Sequence, residues 1–179
     1  AGVLRDIVDE LETTSVWTAI QAESRAAIAA GHFTVDPGSI TRYRGGAWYH
    51  LVLYEYGLKD IKNCRRVPKT CATIESLAKG AVAQNTQGQV KLSLMSPGIH
   101  VLPHCGPTNT RVRMHLGLCI PAGVDLKFIV GGENASWTEG KVTVFDDSFE
   151  HEIIFPGDET SSAVGGEQQK QPEEQPPPT

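Results

Sequence analysis

The stretch from Arg111 to Ile120 carries the most chemistry in this 179-residue sequence. Along it Val112, Met114, Leu116, Leu118 and Ile120 alternate with Arg111, Arg113, His115, Gly117 and Cys119. A strand sends successive side chains to opposite faces, so one face is apolar and the other holds two guanidinium groups, an imidazole and two small residues. An exposed sheet face gives this alternation, and so does a lumen that admits a ligand; in a lumen, Arg113 and His115 stand side by side where a small anion would be met. Histidine is the second clue. His32 and His50 read as ordinary surface or core residues, whereas His100, His104, His115 and His151 fall at strand positions or strand ends. His104 lies in the run from Val101 to Pro107, where Pro103, Gly106 and Pro107 fix the backbone. His151 follows the acidic turn Asp146 to Glu150. Two histidines from separate strands are half of a non-haem iron site, which adds a carboxylate and leaves positions open. The usual carboxylate two residues after the first His is missing, because Gly106 stands there. Cys105 beside His104 suggests a nucleophile pair, but neighbours on a strand point apart, so Cys105 reads as a small packing residue.

These groups need a scaffold. Val3, Leu4, Ile7, Val8 and Leu11 recur at helical spacing, as do the apolar positions from Val16 to Ile28, with Thr14 or Ser15 as cap and Gly31 as stop. After Pro37 and Gly38 the pattern changes to strands: Trp48 to Tyr56, Val90 to Leu94, Val112 to Ile120, Leu126 to Val130, Val142 to Phe145 and Ile153 to Phe155. A short helix over Thr73 to Lys79 interrupts them. Short strands behind a helical face suggest an antiparallel barrel or jelly roll with helices on one side.

Charge and composition exclude several classes. Asp158, Glu159, Glu167, Glu173 and Glu174 against Lys170 give the last 22 residues a net charge of −4, so the rest carries only −1 of the total −5. That tail holds two apolar residues, Ala163 and Val164, among Pro, Gln, Ser and Gly, too few to offset the entropy of ordering. A near-neutral body without a basic, aromatic surface argues against nucleic acid as partner. The run Lys62, Arg65, Arg66, Lys69 reads as a solvated loop, Gly131-Gly132 as a turn, and Asn134-Ala135-Ser136 as a glycosylation triplet of low specificity. No stretch reaches the roughly 18 apolar residues of a membrane span, and no signal segment precedes the first helix. Four cysteines are too few for a disulfide scaffold and lack zinc spacing. Cys64 and Cys71, with Pro68 between, are close enough for a bridge or are two unrelated thiols.

The segments SLMSPGIHVLPHCGPTN (Ser93 to Asn109), RVRMHLGL (Arg111 to Leu118), WTEGKV (Trp137 to Val142) and FDDSFEHE (Phe145 to Glu152) together closely resemble the catalytic domain of the aspartyl/asparaginyl β-hydroxylases. The resemblance runs from about Ile20 to Phe155. It implies a mainly β domain over 1–156, helical over 1–31 and β over about 46–156, in a double-stranded β-helix of jelly-roll or cupin type, with a disordered acidic tail over 157–179. It implies an Fe(II)- and 2-oxoglutarate-dependent dioxygenase that uses O2 to hydroxylate the β-carbon of Asp or Asn in polypeptides, typically EGF-like domains. That family binds iron with two histidines and has Gly at the third position, so Gly106 fits its pattern. By position, His104 and His151 would hold iron, and Trp48, Ser93, Arg113 and His115 would surround 2-oxoglutarate, with Met114 contributing backbone. Asp146 and Asp147 match acidic residues near the second iron ligand. Cys64 and Cys71 match a family disulfide, which points to the secretory pathway or the ER lumen.

The pattern then departs. Shortly after the second iron-binding His the family places, on a further strand, an Arg that pairs with the distal carboxylate of 2-oxoglutarate. Here Glu152 to Gly157 lead straight into the polar tail, and no Arg follows Arg113. The resemblance thus implies a fold that stops short of its last strand. A catalytically impaired metal-binding module is the rival reading, and a relative hydroxylating a lipid is a third.

Overall fold

The computed structural model of the chain describes residues 2–36, 41–43 and 45–157. Two helices lead. In α1 (Val3–Leu11) the i, i+4 pair Ile7 and Leu11 is buried while Val3 and Leu4 remain exposed. In α2 (Thr14–Ala29) Ile20, Ser24 and Ala27 face inward. The N-cap is Thr13 rather than Thr14 or Ser15, and its hydroxyl donates back to the Asp9 carbonyl at 3.2 Å. Gly31 ends the helix in the left-handed region, φ 68°, where glycine is the favoured residue.

Strands β1 (Thr34–Val35), β2 (Thr41–Tyr43), β3 (Trp48–Glu55) and β4 (Leu58–Lys59) follow. Helix α3 (Ile61–Cys64) is capped by Asp60, which accepts from the Asn63 amide at 2.8 Å. Helix α4 (Pro68–Ser76) begins five residues before the expected start at Thr73. Pro68 suits the first turn, and Glu23 of α2 accepts from the amides of Lys69 (2.9 Å) and Thr70 (2.8 Å) and from the Thr70 hydroxyl (2.7 Å). The cap therefore comes from another helix. A disulfide between Cys64 and Cys71, Cα atoms 5.6 Å apart, joins α3 to α4.

The rest is β: β5 (Gln89–Met95), β6 (Ile99–His104), β7 (Arg113–Leu116), β8 (Lys127–Val130), β9 (Glu133–Ala135), β10 (Val142–Phe145) and β11 (His151–Phe155). All pairings among the described residues are antiparallel. β3 pairs with β1, β4 and β5; β7 pairs with β10; and the third sheet runs β2-β6-β11-β8-β9. The expected strand over Val112 to Ile120 is regular only from Arg113 to Leu116. A mainly β chain behind N-terminal helices matches the sequence pattern. The acidic tail and the position of a last strand fall at 158–179, outside the described residues.

Two apolar clusters hold these parts together. One joins the helices to β3 and β5 through Leu11, Ile20, Leu51, Leu53, Leu77 and Leu92. The other lies within the β region, with Val101, Phe128, Phe145 and Ile153 buried and Trp48, Met95 and Trp137 packed against them. Full burial of a side chain such as Leu53 or Phe128 stabilises by roughly 1.5–3 kcal/mol. A cavity of about 670 Å3 is lined from both clusters and contains most of the candidate site.

Candidate functional site

His104 ends β6 and His151 begins β11, and the antiparallel register sets them opposite one another. Their ring centroids are 4.2 Å apart. Each ring is oriented the same way: His104 Nδ1 donates to the Leu102 carbonyl at 2.8 Å and His151 Nδ1 to the Phe149 carbonyl at 2.9 Å. A carbonyl can only accept, so Nδ1 of each ring carries a proton, which leaves Nε2 as the nitrogen that faces a metal. Burial lowers the pKa of His151, with the charges of neighbouring His104 and Arg113 adding to that shift against the Phe149 hydrogen bond. Two imidazoles with free Nε2 atoms are a fitting donor pair for a borderline metal such as iron. Among the described residues no three His, Cys, Asp or Glu side chains gather to hold a metal, so the pair is a two-donor set.

The structure explains why glycine stands where a carboxylate would be usual. A Cβ on Gly106 would lie 2.5 Å from Cγ of Asp147, and the Gly106 amide donates to the Asp147 carbonyl at 2.5 Å. The Asp147 side chain fills that space. It is wholly buried and accepts from Arg111 Nη2 at 2.9 Å and from Arg113 Nη2 at 2.8 Å. Burial raises its pKa, but the two guanidinium groups outweigh this and hold it below the usual carboxylate range. Asp146 plays a separate part, since its carboxylate caps the turn by accepting from the Ser148 amide at 2.9 Å.

The remaining expected residues converge on the same cavity. Trp48 Nε1 donates to Ser93 Oγ at 2.6 Å across the β3–β5 pair. Arg113 is engaged with Asp147, so it enters the cavity already neutralised in part. His115 packs between Phe128, Phe145 and Trp137, and its Nδ1 accepts from Trp137 Nε1 at 3.2 Å. Its proton is therefore on Nε2. Burial, reinforced by Arg113, pushes its pKa down to about 3, so at neutral pH this histidine offers an N–H donor rather than a charge. The Met114 side chain turns to the other face and packs on the helical cluster, leaving only its backbone near the site.

Other candidates are not brought in. His100 pairs with Glu152 at 2.9 Å and His50 with Asp36 at 3.2 Å. Cys105 is free and exposed, contrary to its reading as a packing residue, because β6 ends at His104 and Cys105 lies just past it. Two groups stand outside what the sequence pattern singles out. Lys91 is half-buried beside the cavity with its ammonium 4.9 Å from the centre of the Trp48 ring; burial lowers its pKa, and the Asp36 and Glu55 carboxylates act against that shift. The sequence does carry a signal for it, two residues before Ser93 on one strand. Trp137, which orients His115, is separated from it by 22 residues and leaves no local signal.

The family description "Aspartyl/Asparaginyl beta-hydroxylase" matches residues 14–161 of the chain. A mouse aspartyl/asparaginyl beta-hydroxylase is 47% identical over 108 residues, which cover 60% of this chain and 14% of that protein. The human protein of the same name is 38% identical over 148 residues, 83% of this chain and 19% of that protein. Human aspartate beta-hydroxylase domain-containing protein 2 is 40% identical over 112 residues, 63% of this chain and 30% of that protein. The match thus spans less than a third of the length of each of these relatives.

Proposed function

The chain belongs to the aspartyl/asparaginyl β-hydroxylase family, and we propose that it is an Fe(II)- and 2-oxoglutarate-dependent dioxygenase that hydroxylates the β-carbon of Asp or Asn in polypeptides such as EGF-like domains. The observation that carries the reading is the cross-strand pair His104 and His151, each with Nδ1 satisfied by a carbonyl and Nε2 free. In this reading the antiparallel sheets form the two faces of a double-stranded β-helix, with the histidines at its mouth. The Cys64–Cys71 disulfide supports an oxidising compartment, and among the described residues no helix is long and apolar enough to cross a membrane.

Each side chain has a definite part. His104 and His151 would hold the metal through Nε2, with the Leu102 and Phe149 carbonyls fixing the rings. Iron and 2-oxoglutarate, when bound, supply the oxidising chemistry that turns O2 and a C–H bond into an alcohol. His115, neutral and with its proton on Nε2, would offer an N–H donor to a bound cosubstrate without adding charge. Ser93 and Trp48, locked together, shape the wall beside it. Asp147 holds the Arg111 and Arg113 guanidinium groups at fixed positions, so Arg113 can orient a carboxylate without swinging away.

The test is conversion of 2-oxoglutarate to succinate by the purified chain with Fe(II). His104→Ala and His151→Ala are each expected to lose at least a hundredfold in turnover, and a chelator should abolish it. Turnover that survives His104→Ala would overturn the site. A second reading rests on Glu152 to Gly157, the residues that follow the second histidine, which bring no guanidinium to the cavity. A metal-binding module without turnover would bind Fe(II) through the two histidines and leave 2-oxoglutarate unchanged. If cosubstrate turns over but an EGF-like peptide gains no hydroxyl, the substrate is of another class, a lipid among them.

A further inference from the structure

Asn134-Ala135-Ser136 takes no part in the candidate site, yet the fold gives it a definite place. It is the single Asn-X-Ser or Asn-X-Thr triplet in the chain, and its middle residue is not proline. It begins on β9, which a turn through Gly131 and Gly132, at φ 60° and 81°, folds back on β8. Antiparallel partners share a face and neighbours along a strand alternate, so the register settles where each residue points. Ala135 is opposite Phe128, and Phe128 is opposite Ile153; all three belong to the β cluster. Asn134 is opposite Ile129, and Ile129 is opposite Glu152. Asn134 therefore stands with Glu152 on the outer face of the five-stranded sheet, while His151 shares the inner face with Ile153.

Accessibility follows the same alternation. Asn134 and Ser136 are exposed, whereas Ala135 between them and Trp137 after them are half-buried. Other asparagines use their carboxamides inside the fold: Asn63 Nδ2 donates to the Val52 carbonyl at 2.8 Å, and Asn85 Oδ1 accepts from the Gln87 amide at 2.9 Å. The Asn134 carboxamide faces solvent instead. A second, independent observation is the Cys64–Cys71 disulfide, a bond that forms and persists in oxidising compartments. The secretory path is one such compartment, and it is where triplets of this kind receive sugar.

We propose that Asn134 is the attachment point of an N-linked glycan. The donor is an oligosaccharide carried on a lipid diphosphate. The carboxamide nitrogen of Asn134 attacks the anomeric carbon of the first sugar; a C–N bond forms as the C–O bond to the diphosphate breaks, the nitrogen gives up one proton, and the lipid diphosphate leaves. The Ser136 hydroxyl, two residues on, marks Asn134 as the acceptor. β9 is three residues long and, among the described residues, pairs only with β8, so presenting the triplet costs few main-chain hydrogen bonds. The glycan then projects from the outer face and leaves the histidine pair on the inner face open. The inference shares the oxidising compartment with the function proposed above and is independent of the iron chemistry.

The test expresses the full chain behind a cleavable secretion leader in cultured animal cells and compares its gel mobility before and after an amidase that releases N-linked glycans. A single shift of about 2 kDa that the amidase removes is expected, with residue 134 recovered as aspartate in the released peptide. Asn134→Gln and Ser136→Ala should each lose the shift, and Ser136→Thr, which keeps the hydroxyl, should retain it. All three positions changed are exposed, so folding is checked simply by the presence of the Cys64–Cys71 bridge. No shift in chain from which the leader has been removed would overturn the proposal, because that chain has met the transferase. A shift that survives Ser136→Ala would overturn it as well. Conversion of 2-oxoglutarate is read on the same material with and without amidase treatment, and equal rates are expected; a rate that rises on release of the glycan would overturn its place on the outer face. Gel mobility needs no turnover, so a failed iron site leaves the expected shift intact.

Discussion

Gly106 and Asp147 compete for one volume, and the chain resolves the competition in favour of the carboxylate. The Asp147 side chain is buried without access to water, and two arginines neutralise it. Removing the charge while keeping the shape, Asp147→Asn, leaves both guanidinium groups short of a partner; a loss of about 3 kcal/mol in urea unfolding is expected. Gly106→Ala forces a methyl to within 2.5 Å of Asp147 Cγ and should cost about 2 kcal/mol by overpacking. The cycle is decisive: in an Asp147→Ala background Gly106→Ala should cost almost nothing, because the volume it needs is then empty. Full additivity in the cycle would mean that the two positions do not share space. The charge has a pH signature as well. A carboxylate whose folded pKa is depressed contributes stability in full above the unfolded value near 3.9, and that contribution is lost as pH falls through the lower folded value. Asp147 therefore adds no pH dependence between 5 and 7, and the difference between the native chain and Asp147→Asn should be constant across that window.

Helix α4 shows how an element can depend on a residue far away in sequence. Its first amides are satisfied by Glu23 of α2, so Glu23→Ala should lower stability by about 1–2 kcal/mol, and Glu23→Gln, which keeps one acceptor oxygen, by less. The Cys64–Cys71 bridge closes a short loop onto the same helix. Replacing both cysteines by alanine should cost about 2–3 kcal/mol, read as a lowered midpoint in thermal unfolding, with the oxidised native chain showing no free thiol at these positions. What is legible in sequence follows the same division. β3 can be read because its residues are aromatic and β-branched, β5 because Val90, Leu92 and Leu94 alternate, and α1 and α2 because their apolar stripes recur at helical spacing. β1 and β4, two residues each, carry no period, and β6 contains Pro103, which argues against a strand unless its neighbour supplies the bond. The start of α4 is hidden because its cap lies 46 residues upstream. At the site, His104 and His151 stand out by type and by family pattern, and the reason for Gly106 does not, since it depends on where Asp147 lands. Lys91 has a weak signal, its place two residues before Ser93 on one strand, while its burial shows only in the fold.

At the scale of the whole molecule, the helical cluster and the β cluster meet around one cavity, and His115 sits at that junction between Phe128, Phe145 and Trp137. An imidazole packed there is stable only while neutral, which links the stability of the entire fold to pH. In the unfolded chain His115 takes up a proton near pH 6.5; in the folded chain it resists until about 3. Over that interval the unfolded state binds one more proton than the folded state, so stability falls as pH falls, by up to about 1.4 kcal/mol per unit. His151, whose pKa burial also lowers, acts in the same direction. Glu12 does not blur the window: hydrogen bonds from Lys141 and the Val142 amide lower its pKa, so what it contributes in holding α1 against β10 is intact above the ordinary carboxylate value. Urea unfolding of the chelator-treated chain should therefore lose about 2 kcal/mol between pH 7 and pH 5 from His115 alone. His115→Gln, which keeps a polar group of similar length that cannot charge, should be less stable at pH 7 yet show a shallower decline. A native profile that is flat from pH 7 to 5 would mean that water reaches this histidine in the folded state, and that the two clusters do not close around it.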